Sequence, residues 1–521
     1  MKKNIAILFS IALLGGTISS CMKDAEPTDL ITQEHLNTVL EEHPEKFDAL
    51  VQGIYTDIQS FSDPGISHNY FGQMGFNYLT SLMGNDMIMT GRYAMSIYHY
   101  LLDYWQQDYD ATLTRWREYY RHIANANNII RQAPADATDP VTLQYRAIAL
   151  GIRAYAYLQL SYLYQYSYYV GADDTVWGKG AKYDHSKDLL VPIVDEKTTE
   201  DQPRKTVEDV FNFLIKDFEE SYAIFEKIGA VRTSSPTDID GCVVANYLAR
   251  AYMIKHDWDN GAKYAKVVMD NFDILSTEAD ILQGFSNINL DDVVFGCDIT
   301  SDNSGIYRSW FSMMDYFGDG YAGIGVWRAA FGPLVDRIAD DDVRREWFLD
   351  KRNPLTMQIA AVLYQSIKFI GAGRSAVFNS GFDGTGWELG DYIYLRSEEA
   401  YFMYAECLAH QDNLTDAVAL LEDIMSTRQP SYTCSATTKE DFLEELIFQK
   451  RVEFWGEGME FLDNRRLNIP VDRTDATWTK ERNNHLAAAK FKKEQESEEF
   501  LYQLPISEIE NNKNINEEDQ N

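Results

Sequence analysis

The stretch VVANYLARAYMIKHDWDNGAKYAKVVMDN, Val243 to Asn271, decides the fold. Apolar and small residues recur at three- and four-residue steps through VVANYLARAYMIK, the period of a helix with one buried face, and DWDNGAKYAKVVM begins a second such helix. Leu248, Ala249 and Tyr252 share one face of the first, and Gly261 stands twelve residues after Ala249 on the second. The same offset returns in SEEAYFMYAECLAHQDNLTDAVALLEDIM, where Tyr404, Ala405 and Leu408 precede Ala417. Small residues so spaced form the seam of a tetratricopeptide-type hairpin, a unit that buries its apolar face only against its neighbours. The expectation is a mainly all-α chain: a tetratricopeptide-like helical-hairpin scaffold with a less regular, loop-rich region containing short strands.

Further helices extend this pattern outward. TLTRWREYYRHIANANNIIR (Thr112 to Arg131) spaces Trp116, Ile123 and Asn127 helically, and Pro134 ends it. In the next helix Ala147, Gly151 and Ala154 form a narrow face that invites close helix approach. Its continuation AYAYLQLSYLYQYSYYVG (Ala154 to Gly171) is rich in tyrosine, but Tyr155, Tyr162 and Tyr169 recur every seven residues, which is packing periodicity rather than a ligand surface. TVEDVFNFLIKDFEESYAIFEK (Thr206 to Lys227) is amphipathic. TKEDFLEELIFQKRVEFWGEGMEFLDNRR (Thr438 to Arg466) reads as one helix capped by Thr438 with Asp441, and the tail beyond Pro505 is polar enough to fray. Between about Phe272 and Leu389 the periodicity lapses into β-prone runs such as DVVFGCDI and aromatic, glycine-rich loops such as SGIYRSWFSMMDYFGDGYAGIGVWRAAFG (Ser304 to Gly332). Long irregular insertions on a rigid scaffold are where function concentrates.

Composition narrows the function. Of 521 residues, 81 are acidic and 47 basic, a net charge of -34 that repels phosphate backbones and argues against a nucleic-acid partner. The opening MKKNIAILFSIALLGGTISS (1–20) is a signal segment whose apolar run is too short to span a bilayer. Ile18-Ser19-Ser20-Cys21 resembles the lipobox of bacterial lipoproteins, which makes Cys21 the lipidated first residue of the mature chain, and 21–32 its acidic tether. Cys242, Cys297, Cys407 and Cys434 show no metal spacing and suit buried apolar positions or a single disulfide.

The ordered set of RWREYYRHIANANNII, RAYAYLQLSYLY, LLVPIVDEKTTEDQPRKTVEDVFNFLIKDFEES, AECLAHQDNLTDAVALLEDIMSTR, FQKRVEFWGEGMEFLDNRR and QLPISEIENN, together with the lipobox, resembles the SusD/RagB family of Bacteroidetes outer-membrane lipoproteins over nearly the whole mature chain. The resemblance implies an N-terminal helical region (33–271) and a C-terminal region (272–521) with a loop-rich insert (272–389). It also implies a surface-exposed, lipid-anchored, non-catalytic protein of the outer membrane. Such a protein captures oligosaccharide or polysaccharide and sits as a lid on a TonB-dependent, SusC-like transporter. Two other readings stay open: a peptide-capturing lid of a RagAB-like transporter, and a tetratricopeptide adaptor without a small ligand. The chain departs from the family pattern at Gln449-Lys450-Arg451 and at Glu460, whereas Glu453, Glu457, Gly458, Asp463 and Arg465 fit a buried polar cluster.

No catalytic motif accompanies the nine scattered histidines, so an enzyme is not expected. Sugar binding calls for flat rings against the C–H faces of pyranoses, flanked by polar groups for the hydroxyls. Two non-periodic segments supply both. Phe71 to Asp110 offers Asn85, Asp86, Arg92, Tyr93, Tyr104 and Trp105; the loop after Ile306 offers Tyr307, Trp310, Tyr316, Phe317, Tyr321 and Trp327. The family resemblance draws its aromatic glycan platform from these two regions. Trp116 and Trp455, on regular helices, belong to the core. The clusters GDG (Gly318 to Gly320) and FDGTG (Phe382 to Gly386) lack the ordered ligand pattern of a Ca²⁺ loop, and no cofactor is expected.

Overall fold

The computed structural model describes residues 43, 46–60, 67–90, 96–166, 184–352, 357, 360–371, 387–474 and 484–521. Cys21 with its signal segment and tether, Arg92, Tyr93, Tyr169 and the FDGTG cluster lie outside these residues. From Phe47 onward the chain forms one unit.

In chain order the first elements are α1 (Phe47–Ser60), α2 (Gly72–Met83), β1 (Met87–Met89), the short α3 (Ile97–Tyr100), α4 (Asp110–Gln132) and α5 (Pro140–Tyr164). A ribbon of β2 (Leu189–Pro192) and β3 (Arg204–Thr206) leads into α6 (Val207–Ile228), α7 (Gly241–Ile254) and α8 (Trp258–Met269). Each helix from α4 to α8 packs on the next. The irregular region holds α9 (Glu278–Ile281), β4 (Val293–Cys297), α10 (Trp310–Met314), β5 (Arg328–Ala330), α11 (Gly332–Arg337), β6 (Phe348–Leu349), β7 (Gln365–Ser366) and β8 (Tyr392–Arg396). Then come α12 (Glu398–His410), α13 (Leu414–Ser426), α14 (Lys439–Glu453), α15 (Met459–Arg466), β9 (Val471–Asp472), β10 (Lys492–Lys493) and α16 (Ile506–Asn511). The mainly helical scaffold with short strands is the predicted one.

The two hairpins of the opening motif are α7–α8 and α12–α13, and α8 packs against α12, so the helical stack resumes after the irregular region. Both turns use the same backbone device. His256 and Asp412, each seven residues beyond the small residue of its seam, adopt left-handed φ values of 57° and 60°. Ala249, Ala405 and Ala417 are fully buried. A Cβ on Gly261 would stand 3.0 Å from Met253 Cγ and 3.1 Å from Cys407 Sγ, so the absent side chain sets how closely α8 approaches α7 and α12. Gly151 does the same for α5, where a Cβ would lie 3.0 Å from Val244 Cγ2 and 3.3 Å from Ser221 Oγ.

Caps follow the sequence. Asp240 accepts from the N–H groups of Cys242 and Val243 at the start of α7, Thr206 accepts from Asp209 N at α6, and Thr438 from Asp441 N at α14. The described part of the tyrosine-rich run, up to Tyr166, is scaffold. Tyr155, Tyr157, Tyr162 and Tyr164 are buried, and their hydroxyls serve packing partners: Tyr155 donates to Gln73 Oε1 and Tyr164 to Thr112 O. The four described cysteines are unbridged.

Two expectations are corrected. Thr438 to Arg466 is not one helix, because Gly456 (φ 82°) and Gly458 (φ 86°) turn left-handed and separate α14 from α15. The tail does not fray: Asn512 donates to Gln202 O, Gln520 to Leu504 O, and Asn521 to the carbonyls of Tyr164 and Tyr502.

The expected polar cluster joins the last helices to the irregular region. Glu453, at the end of α14, pairs with Arg344 at 3.3 Å, Arg396 of β8 at 3.2 Å and Arg428 at 3.2 Å, all fully buried. Burial opposes its ionisation, but the Arg428, Arg396 and Arg344 charges outweigh burial and hold its carboxyl well below the usual range. Lys368 donates to the carbonyls of Glu453 and Trp455 and to Glu457. The departures from the family pattern have partners of their own. Lys450 pairs with Asp463 at 3.0 Å, Arg451 forks onto Asp86, and the Glu460 carboxylate accepts from the N–H groups of Asn85 and Asp86. Burial, reinforced by the Asp86 charge, pushes Glu460 up to about 7.

Three outcomes follow from this packing. Gly261→Leu overfills the α7–α8–α12 seam and costs about 1–3 kcal/mol in urea unfolding; an unchanged midpoint would refute the close approach. Glu453→Gln leaves three guanidiniums undercompensated and costs about 3–5 kcal/mol in the same measurement. Between its ordinary value of 4.5 and about 7, Glu460 holds a proton in the folded chain that the unfolded chain lacks. Its contribution is therefore full at the acid side of that window and lost as pH rises through it. Thermal scans across the window should show wild type losing more stability with rising pH than Glu460→Gln.

Candidate functional site

The irregular region is tied down by α10. Ser309 caps it by accepting from Ser312 N, and Trp310 drives its first turn into the core, edge-on to Phe369 with ring centroids 5.0 Å apart. The chain then folds back on the helix. Ser312 accepts from Tyr321 N through its hydroxyl and from Ala322 N through its carbonyl at 2.8 Å. A Cβ on Gly320 would sit 2.4 Å from Ser312 Cα, so this return requires glycine. The loop ends in β5, which pairs antiparallel with β1 in the sheet ordered β1-β5-β7-β6. Thr90 extends that pairing by donating to Trp327 O from both its N–H and its hydroxyl. The β1–β5 pair thereby sets the two sequence-predicted segments beside each other.

Two rings of the loop meet a third from the chain just ahead of the first segment. Tyr307 is 50% exposed, and of the same loop Ile306 is 59% and Ile324 66% exposed. The exposed His68, just ahead of α2, stacks on Tyr307 at 6.0 Å and 15°, and its Nδ1 lies 2.8 Å from the Tyr321 hydroxyl. Tyr321 stands 5.9 Å from Tyr307 at 55°. A second set follows from α3. Tyr98 stacks on Tyr104 at 4.6 Å and 4°, and Tyr104 on Tyr109 at 4.6 Å and 25°. Buried rings back this second set: Tyr70 meets His99 at 6.4 Å, and His99 meets Tyr104 at 5.5 Å. Burial, with the Asp110 charge next, pushes the Tyr104 hydroxyl up to about 12 and keeps it protonated.

The structure separates the predicted residues. Tyr307 and Tyr321 come together at the surface, and Trp105 is half-buried near the Tyr98 stack, its carbonyl accepting from Gln503 N. Tyr316 and Phe317 are half-buried and pack against Leu349, Ala360 and Ile367. Trp327 is half-buried, with its carbonyl engaged by Thr90. Four expectations are corrected by burial. Trp310 is 1% exposed, with no ring face open to solvent. Tyr104 lies inside its stack between Tyr98 and Tyr109. Asp86 spends its carboxylate on Arg451, while its carbonyl accepts from Trp455 Nε1 at 2.9 Å. Asn85 is buried between Glu460 and His485, which engage its backbone N–H and carbonyl.

Sequence reasoning missed His68, Tyr98, Ile306 and Ile324. The two isoleucines carried a signal, being apolar residues flanked by glycine in an aperiodic loop; His68 carried none, because its role depends on partners more than 230 residues away. Among the described residues, no group of three or more His, Cys, Asp or Glu side chains is placed to hold a metal ion. Nor is any described helix long and apolar enough to cross a membrane.

An exposed set of rings offers apolar faces with polar edges, the chemistry that grips flat, hydroxylated molecules. Comparison with known proteins bears on whose surface this is. No curated protein matches the sequence. The model described as "SusD family" matches residues 376–521, and one described as "Starch-binding associating with outer membrane" matches residues 41–237. A SusD-like carbohydrate binding protein from Bacteroides vulgatus is 20% identical and superposes with a TM-score of 0.73 over 91% of this chain and 97% of its own. A SusD superfamily protein from Bacteroides thetaiotaomicron is 19% identical, with a TM-score of 0.69 over 92% and 99%. Surface glycan-binding protein A from Bacteroides thetaiotaomicron, solved in complex with laminarihexaose, is 15% identical, with a TM-score of 0.63 over 90% and 98%. With both terminal parts of the chain matched by models of this kind and the fold shared across its length, the chain belongs to the SusD family.

Proposed function

We propose that this chain is a non-catalytic, surface-exposed lipoprotein of the outer membrane, anchored through Cys21, that binds an oligosaccharide or polysaccharide and passes it to a SusC-like, TonB-dependent transporter. The observation that carries the reading is the cluster of the exposed Tyr307 and the half-buried Tyr321 with the exposed His68, on a loop that also leaves Ile306 and Ile324 in solvent. Tyr98, at the end of the second stack, is a further exposed ring. Exposed Asp302 and Asp319 on the same loop, in a chain of net charge -34, favour a neutral glycan over an anionic one. The laminarihexaose complex of a structural neighbour supports the ligand class. Lipidation and the transporter partner rest on the lipobox and on the family.

Calorimetry on the protein from Glu26 onward, titrated with maltohexaose, laminarihexaose, cellohexaose and a set of hexapeptides, tests this reading. Heat with a hexasaccharide supports it; heat only with peptides transfers the same surface to the peptide-capturing alternative. Tyr307→Ala should weaken glycan affinity about tenfold, equivalent to ~1.4 kcal/mol, with an unchanged unfolding midpoint. Trp310→Ala should do the reverse of a platform ring, lowering stability by about 3–5 kcal/mol as a lost core side chain.

A further inference from the structure

His68 stands against both exposed-loop tyrosines, yet nothing in the sequence pattern marks it. Its ring lies nearly parallel to Tyr307, and its Nδ1 bonds the Tyr321 hydroxyl at 2.8 Å. Both tyrosines come from the loop after Ile306, whereas His68 comes from the chain ahead of α2. One side chain thus fixes two rings of another segment relative to each other.

Imidazole chemistry adds a second consequence. Neutral imidazole carries one N–H and one bare nitrogen. When the Tyr321 hydroxyl donates to Nδ1, the proton resides on Nε2, which no described residue engages and which belongs to an exposed ring. A sugar laid against Tyr307 would meet a ring face and, in the neighbouring plane, an N–H for one of its hydroxyl oxygens.

We infer that His68 is a specificity-determining residue of the carbohydrate surface: it locks the orientation of Tyr321 through Nδ1 and donates to a ligand hydroxyl through Nε2. The inference rests on the carbohydrate-binding reading above. A ring held by a hydrogen bond does not have to be ordered when ligand arrives, so the lock raises affinity without touching the sugar.

A double-mutant cycle on the protein from Glu26 onward tests it, using whichever of maltohexaose, laminarihexaose and cellohexaose binds wild type most tightly. Tyr321→Phe keeps the ring and removes the hydroxyl; His68→Phe keeps a stacking ring and removes both nitrogens. Tyr321→Phe should weaken binding about threefold and His68→Phe about tenfold. The double variant should bind no more weakly than His68→Phe alone, because both remove the same bond. All three should keep the wild-type unfolding midpoint, since His68 is exposed. Binding by His68→Phe within twofold of wild type, or effects that multiply in the double variant, would overturn the role of His68 while leaving the platform intact. Absence of binding by wild type itself would instead remove the carbohydrate reading, and this inference with it.

Discussion

One carboxylate amid three guanidiniums holds this molecule to its shape. Arg344 follows α11, Arg396 ends β8 and Arg428 follows α13, so Glu453 gathers the irregular region, the strand that closes it and the resumed helical stack around a single buried point. Removing charges from water is costly, and only dense pairing makes such a cluster tolerable. Its value lies in specificity. Apolar contacts would accept several registers of α14 against its neighbours, whereas three fixed cations accept one.

From that anchor the rest is positioned in steps. Lys368, bonded to the carbonyls of Glu453 and Trp455, ties the region just after β7 to the break between α14 and α15. Arg451 and Glu460 hold Asp86 and Asn85, and hence β1, against the same break. Since β1 pairs with β5, the loop that presents Tyr307 and Tyr321 is referenced to the interior through a short chain of strong polar contacts. Residues that sequence pattern suggests for binding, Asp86 above all, serve this linkage instead.

The scaffold was legible because its signals are local. Helical period, the cap at Thr438, and the twelve-residue offset of Ala249 and Gly261 each depend on neighbours within a few turns. The break at Gly456 and Gly458 was hidden because the apolar period runs across it, and only φ distinguishes a helix from two helices meeting at glycines. The candidate site was less legible: sequence pattern could not tell Trp310, which faces inward, from Tyr307, three residues earlier, which faces out. That difference is made by Phe369, far along the chain. Tyr98 and His68 were lost for the same reason.

The clip of the Ser312 hydroxyl and carbonyl onto the Tyr321 and Ala322 N–H groups, with Gly320 pressed against the helix, fixes the loop through its own main chain rather than through the side chains it displays. The displayed positions are therefore free to vary. Exchanging Ile306, Tyr307 or Ile324 alters the exposed surface while the hairpins, the sheet and the buried ions stay as they are, so display and support are carried by separate sets of residues.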